Sequence, residues 1–339
     1  MKGADETRFM WRALALAARS QGHTRPNPPV GAVVVKGGRI AGEGRHVRCG
    51  ADHAEVAAMR DAEAHGVSLA GASVYVTLEP CSRAGRVGAC CDALIAAGIA
   101  RVVWAVPDPN PRNAGRAARI LRRAGIKAEC WGRAADPERR ACAEEARRLI
   151  APFAKFVASG LPYVTVKIAM SLDGRICDDS GDARWVSSER ARRATGRLRE
   201  RVDVVMVGAE TLRRDDPSLL SHGRRNDDLY RAVVTRSGRL PSRAQVFTDA
   251  ARGRTVVLRV GKGGLRGALE RLGGMGFMHV LCEGGLELAR SLAAEGLVDE
   301  WLAVLTPKVI GHAPISRAVA VERPCVMLDG NFTAIAVRG

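Results

Sequence analysis

The chain is 339 residues long and carries 53 Lys and Arg against 36 Asp and Glu, a formal net charge of +17. Hydrophobic residues at 47% and charged residues at 26% are ordinary globular values, which excludes wholesale disorder, and the length predicts two domains rather than one small module. The excess of base invites a polyanionic partner, but only seven of the bases are Lys and the remainder, all Arg, are spread over both halves, the mark of a compositional bias rather than a binding stripe.

Asp5 and Glu6 precede an amphipathic pattern, Met10, Ala13, Leu14 and Ala17, which predicts a helix against a core and not a signal peptide. No apolar run approaches the roughly 18 residues of a membrane span. Nine cysteines, an odd number without an export signal, read as reduced thiols, metal ligands or buried small hydrophobes, so the expected compartment is the cytoplasm. Strands are predicted at 32–35, 73–77, 101–105 and 127–131, and helices at 54–64, 90–97, 115–124 and 137–150, an order that implies a layered α/β domain. The breaker cluster Ser159-Gly160-Leu161-Pro162 then separates a first domain, 1–150, from a second, 160–339. In the second, strands are expected at 163–168, 202–207, 254–260, 278–282 and 301–305, and helices at 189–199, 264–271 and 286–295. Residues 221–253 are polar and Arg-rich without a clear period.

The strongest chemical signal is His53-Ala54-Glu55 followed by Pro80-Cys81 and Cys90. One imidazole and two thiolates leave a fourth tetrahedral position for water, the hallmark of catalytic rather than structural zinc, and zinc brings the pKa of that water to about 7. Glu55 is poorly placed to be a ligand beside His53 but can shuttle the water's proton to a leaving amine, as in zinc deaminases. As a helix, the stretch from Cys81 to Cys90 would separate their Cα atoms by about 13 Å, so it must fold back as a loop, which Gly85 and Gly88 permit. Cys91 competes with Cys90 as the third ligand; chemistry alone leaves both open. In the second half no G-x-G-x-x-G run exists. Cys282-Glu283-Gly284-Gly285 instead closes a predicted strand and opens a helix, where backbone N–H groups could seat a pyrophosphate or simply form a tight turn.

Several runs are similar to the bifunctional riboflavin biosynthesis deaminase/reductase family. They are Thr24-Arg25-Pro26-Asn27-Pro28-Pro29-Val30-Gly31-Ala32, His53-Ala54-Glu55-Val56, Tyr75 to Ser82, and Asp108-Pro109-Asn110-Pro111. Further along, Lys167 to Arg175, Trp185-Val186-Ser187, Gly208 to Thr211 and Asp215-Asp216-Pro217 extend the resemblance over essentially the whole chain. It implies a cytidine-deaminase-like three-layer α/β domain followed by a dihydrofolate-reductase-like α/β domain. By the same resemblance His53, Cys81 and Cys90 would hold zinc and Glu55 would transfer protons, while Asn27, His46 and the phosphate-binding Arg86 would meet a pyrimidine phosphoribosyl nucleotide. In the reductase half Ala169, Trp185, Thr211, Asp215 and the run Gly285, Leu286, Glu287, Leu288, Ala289, Arg290 and Ser291 would line NADPH. Ala183, Arg199, Leu219, His222 and Glu283 would meet the substrate, with Lys167 and Glu283 closest to the chemistry and Lys167 as proton donor or electrostatic stabiliser.

The chain departs from the family at Arg83, at Val87-Gly88-Ala89, at Ala183 in place of Ser, at His222 in place of Arg, and at Thr235 in place of Asp. Two alternatives therefore stand beside the bifunctional reading: an active deaminase with an impaired reductase half, and a nucleic-acid deaminase. Against the latter, residues 51–100 hold 3 bases and 6 acids, a poor seat for a polyanion. The expected partner is a small molecule, with neither nucleic acid nor membrane, and a homo-oligomer is compatible with all of this.

Overall fold

The computed structural model describes residues 6–83, 88–171, 173–176, 189–221, 228–306, 325–329 and 332–338. The chain divides into two units, Met1–Gly160 and Leu161–Gly339. In the first, chain order is α1 (Thr7–Ala18), β1 (Gly31–Lys36), β2 (Arg39–Arg45), α2 (Ala54–Ala64), β3 (Ser73–Leu78), α3 (Cys90–Ala96), β4 (Arg101–Val106), α4 (Arg116–Arg123), β5 (Lys127–Cys130) and α5 (Pro137–Ser159). The strands form one sheet in the order β2-β1-β3-β4-β5, with β2 and β3 antiparallel to β1 and β3, β4 and β5 mutually parallel. Alternation along the strands splits the core between two faces. Val33, Val35, Tyr75 and Val103 pack with α1 and α5, whereas Ala32, Val34, Val74, Val76 and Val102 pack with α2, α3 and α4. The result is the expected three-layer α/β arrangement.

Two differences from the sequence reading have clear causes. Strand β2 was not anticipated, because Gly42 and Gly44 dilute its apolar pattern. Its signal was the hairpin turn Gly37-Gly38, both residues at positive φ (57° and 76°). Those same strand glycines let α2 lie directly on the strand: a Cβ at Gly44 would stand 2.3 Å from Ala54 O and Ala58 N. Helix α5 also extends past residue 150. Pro152 removes one N–H from the helical ladder, yet α5 runs on to Ser159 and closes at left-handed Gly160, whose N–H donates to Phe156 O at 2.8 Å.

The second unit runs β6 (Tyr163–Ser171), α6 (Glu189–Arg199), β7 (Val204–Gly208), α7 (Ala209–Asp215), β8 (Tyr230–Thr235), α8 (Gln245–Thr248), β9 (Thr255–Arg259), α9 (Gly264–Gly274), β10 (His279–Cys282), α10 (Leu286–Ala294), β11 (Glu300–Thr306), β12 (Cys325–Asp329) and β13 (Phe332–Arg338). Its described strands form a sheet in the order β12-β13-β11-β6-β10-β7-β8-β9, parallel from β11 to β9 and antiparallel at the β11-β13-β12 edge. Strand β8 and helix α8 lie within 221–253, the stretch without a clear period, and β12 and β13 are strands beyond those expected from the sequence. Parallel strands with covering helices expose the carboxyl ends of β6, β7 and β10 together, the usual ligand crevice of an α/β sheet.

Candidate metal centre and reductase site

In the first unit the ligand candidates come from three elements. His53 is the residue before α2, with extended backbone (φ −71°, ψ 160°), and Cys90 opens α3. Cys81 follows β3, three residues beyond its end. His53 Nδ1 lies 3.1 Å from Cys90 Sγ and 3.5 Å from Cys81 Sγ, and the three ligand atoms all fall within 4.8 Å of one another. Zinc bonds of roughly 2.0–2.3 Å would bridge that spacing. Cys81 is the thiol that ionises first: the hydrogen bond from Cys90 outweighs burial and, with His53, brings it down to about 4, while Cys90 shifts upward. A pre-formed thiolate beside an imidazole is the donor chemistry that zinc selects, so the residues present fit the ion.

Cys91, one residue on, faces elsewhere. It is fully buried in the core with Leu94 and Met59, its N–H donates to Cys81 O at 3.1 Å, and burial pushes its thiol up to about 12. We therefore expect Cys90→Ser to lose zinc and Cys91→Ser to retain it near stoichiometrically, measured as metal content after desalting; the reverse pattern would transfer the ligand role to Cys91.

Glu55 sits in the first turn of α2, 3% exposed, and burial, with the nearby Cys81 charge, raises its carboxyl to about 7. Asn27 and His46 meet directly: His46 Nε2 lies 3.0 Å from Asn27 Nδ2 and its Nδ1 2.9 Å from Asp52 O. Since the carbonyl can only accept, Nδ1 carries the proton and Nε2 accepts. Burial holds the His46 pKa down, which keeps the ring neutral. Arg86 lies outside the described residues.

Sequence reasoning missed the support beneath Cys81. Buried Glu79 accepts from Asp108 N (3.2 Å), Gly115 N (3.0 Å) and Ala117 N (3.1 Å), pinning the segment after β4 to the end of β3. Asn113, on that segment, bonds to both residues flanking Cys81. Glu79 stood in a recognised run without a role, and Asn113 carried no sequence signal.

In the second unit Glu283, just past β10, accepts from Arg199 Nε (2.7 Å) and Nη2 (3.0 Å) and faces Lys167 Nζ at 3.8 Å. Burial alone would raise its carboxyl, but the Arg199 hydrogen bonds and the Lys167 charge bring it below its ordinary value. Arg199 Nη1 also donates to Leu220 O at 2.8 Å, so this guanidinium ties Glu283 to the 216–221 segment. Leu219 in that segment has φ +58° and a side chain buried in the core, which leaves only its backbone to meet a ligand. A second fastener, unread in the sequence, is fully buried Arg231, which pairs with Asp249 (2.5 and 2.9 Å) and donates to Ser218 O at 3.1 Å.

Gly285 precedes α10 and donates its N–H to Thr211 Oγ1 at 3.1 Å. A Cβ on Gly284 would stand 2.9 Å from Gly208 N, so only glycine allows the ends of β7 and β10 this approach. Leu286, Glu287 and Arg290 are exposed, Ser291 is half-buried, and Leu288 and Ala289 turn into the core. Ala169 is half-buried on β6, and Asp215 is exposed at the end of α7. The start of a nine-residue helix, reached by a backbone free of side chains at Gly284 and Gly285, fits the phosphates of a dinucleotide. Trp185, Ala183 and His222 lie outside the described residues.

Comparison with known proteins matches the zinc-binding region of cytidine and deoxycytidylate deaminases to residues 4–106 and the RibD C-terminal domain to residues 162–320. The chain is 37% identical over 334 residues to the riboflavin biosynthesis protein RibD of Escherichia coli, covering 89% of this chain and 88% of that one. The chain belongs to the RibD family. The RibD of Aquifex aeolicus is 35% identical over 323 residues, with 90% of this chain and 87% of the relative covered. The solved deaminase/reductase of Thermotoga maritima superposes over 99% of both chains with a TM-score of 0.85 at 30% identity, and Acinetobacter baumannii RibD over 99% of both with 0.81 at 31%. As a RibD protein the chain is a riboflavin biosynthesis enzyme with a zinc-dependent deaminase half and an NADPH-dependent reductase half. Among the described residues, no helix is long and apolar enough to cross a membrane.

Proposed function

We propose that His53, Cys81 and Cys90 are the zinc ligands of the deaminase, that Glu55 is its proton carrier, and that Lys167 and Glu283 form the polar centre of the reductase. The substrate is the diaminopyrimidine phosphoribosyl nucleotide 2,5-diamino-6-(5-phosphoribosylamino)pyrimidin-4-one. The observation that carries this reading is the convergence of three ligand atoms from separate elements beside a buried carboxyl. Zinc held there supplies a Lewis acid that makes hydroxide available near neutral pH. Glu55, with its carboxyl raised to about 7, takes a proton from the attacking water and returns one to the departing amine, so that water enters and ammonia leaves. Neutral His46 and its partner Asn27 orient the pyrimidine edge.

In the second half NADPH, held by residues 285–291, would supply hydride for the ribose carbon bonded to nitrogen. The sugar ring opens, and its oxygen takes the matching proton from Lys167, whose ammonium Glu283 holds in place. The nucleotide phosphate falls to Arg86 in the deaminase, and Ala183, Arg199, Leu219 and His222 are the substrate contacts proposed for the reductase. Ala169, Trp185, Thr211, Asp215 and residues 285–291 are proposed to line NADPH. The deaminase domain is read as 1–150 and the reductase domain as 160–339, in keeping with a division of the chain at Gly160. The compartment is read as the cytoplasm, in keeping with seven described cysteines that are all free thiols; a small molecule rather than nucleic acid is the partner, and a homo-oligomer is compatible with this reading.

A coupled assay tests this. Given the diaminopyrimidine nucleotide, the protein is expected to release ammonia first and to consume NADPH only afterwards, one equivalent per ammonia. Ammonia without NADPH oxidation would show a disabled second half.

A further inference from the structure

We infer that Asn113 is a positioning residue for the zinc ligand Cys81, an inference that rests on the ligand set proposed above. Asn113 lies two residues beyond the Asp108-Pro109-Asn110-Pro111 run, 32 positions from Cys81 in sequence and 7% exposed. Its Oδ1 accepts from Ser82 N and from Ser82 Oγ, both at 2.7 Å. Its Nδ2 donates to Asp108 Oδ2 at 3.0 Å and to Pro80 O at 3.4 Å. All four hydrogen-bonding positions of the amide are filled, and the partners fix which end is oxygen: Ser82 N can only donate and Pro80 O can only accept.

The two backbone contacts bracket Cys81, one on the residue before it and one on the residue after. Cys81 has no regular secondary structure to hold it, unlike His53 and Cys90, which are fixed at helix starts. The start of α3 reaches Cys81 itself, through Cys91 N–H to its carbonyl oxygen and Cys90 N–H to its sulfur, both at 3.1 Å, and Asn113 holds the residues on either side of it. The clamp is itself anchored, since Asn113 lies on the segment that Glu79 secures through three backbone N–H groups. Its bond to Asp108, which accepts from Asn110 N at 2.8 Å, couples the metal arm to the neighbouring loop. Partners that orient a metal ligand without touching the metal commonly change affinity by about 10- to 100-fold when removed.

The test is the rate of zinc release from the full-length protein into a chromogenic chelator, read beside the melting temperature of the zinc-free form. Asn113→Ala is expected to release zinc at least about tenfold faster than wild type. Asn113→Asp keeps an acceptor for Ser82 but loses both donors and sets a carboxylate against Asp108; it should also release zinc faster. Ser82→Ala removes only the hydroxyl contact and should stay within about twofold of wild type. Wild-type release rates in both Asn113 variants, with or without a lower zinc-free melting temperature, would reduce Asn113 to a structural residue and overturn the inference. Cys81→Ser in the same assay reads the ligand set itself: zinc retained as tightly as in wild type would remove the ligand assignment, and this inference with it.

Discussion

Glu55→Gln is expected to bind zinc near stoichiometrically while ammonia release falls by about 10²- to 10⁴-fold, the usual contribution of a positioned acid-base group. The physical reason is the separation of two tasks between two residues of one helix start, His53 just before α2 and Glu55 in its first turn. His53 Nδ1 points at the two sulfurs, whereas Glu55 is buried with its carboxyl raised to about 7, poised to gain and lose a proton near neutrality. Glutamine keeps the size and a carbonyl acceptor but cannot carry a proton away from water. The reductase should be untouched, so the variant supplied with deaminated nucleotide should oxidise NADPH at the wild-type rate. Zinc content by elemental analysis and ammonia by a coupled assay decide the matter. Undiminished deamination would assign proton transfer to another group.

Glu283→Ala is expected to abolish NADPH oxidation and to destabilise the second unit by about 3–5 kcal/mol, while deamination persists. Its carboxylate neutralises Arg199 and Lys167, whose side chains are only 14% and 16% exposed. Removing one partner of a buried ionic group strands the others, and that penalty, rather than the strength of the pair, sets the magnitude. Arg199, which also donates to Leu220 O, would lose both bonds to Glu283, so the 216–221 segment would lose its tie to the end of β10. Thermal unfolding and separate ammonia and NADPH assays distinguish the two halves. Wild-type stability in this variant would mean that water, not Glu283, solvates both cations.

Much of this architecture is legible in the chain itself. The apolar run Ala32, Val33, Val34 and Val35 and the helical spacing of 54–64 name their elements, because a short β-branched run suits a buried strand and side-chain periodicity is a local consequence of backbone geometry. His53, Glu55 and Cys81 announce zinc hydrolysis by residue type, and Gly284-Gly285 announces a close backbone approach. Glycines needed for helix contact hide β2, and the helical pattern expected over 137–150 stops short of a helix that continues past Pro152 to Ser159.

The identity of the chemistry thus resides in short runs of residues, whereas its geometry resides in contacts between distant ones. Cys90 and Cys91 are equally good thiols on paper; only the rotation of α3 against the sheet sends one toward His53 and the other into the core. Arg199 is one of several bases on an Arg-rich helix, and only folding sets it against Glu283, 84 positions away. Asn113 had no pattern to betray it, since its partners on either side of Cys81 are brought near by the parallel pairing of β3 and β4. Periodicity and residue type are encoded one turn or one strand at a time, but strand register and helix rotation are settled by packing of the whole unit, and these decide which of several capable side chains meet.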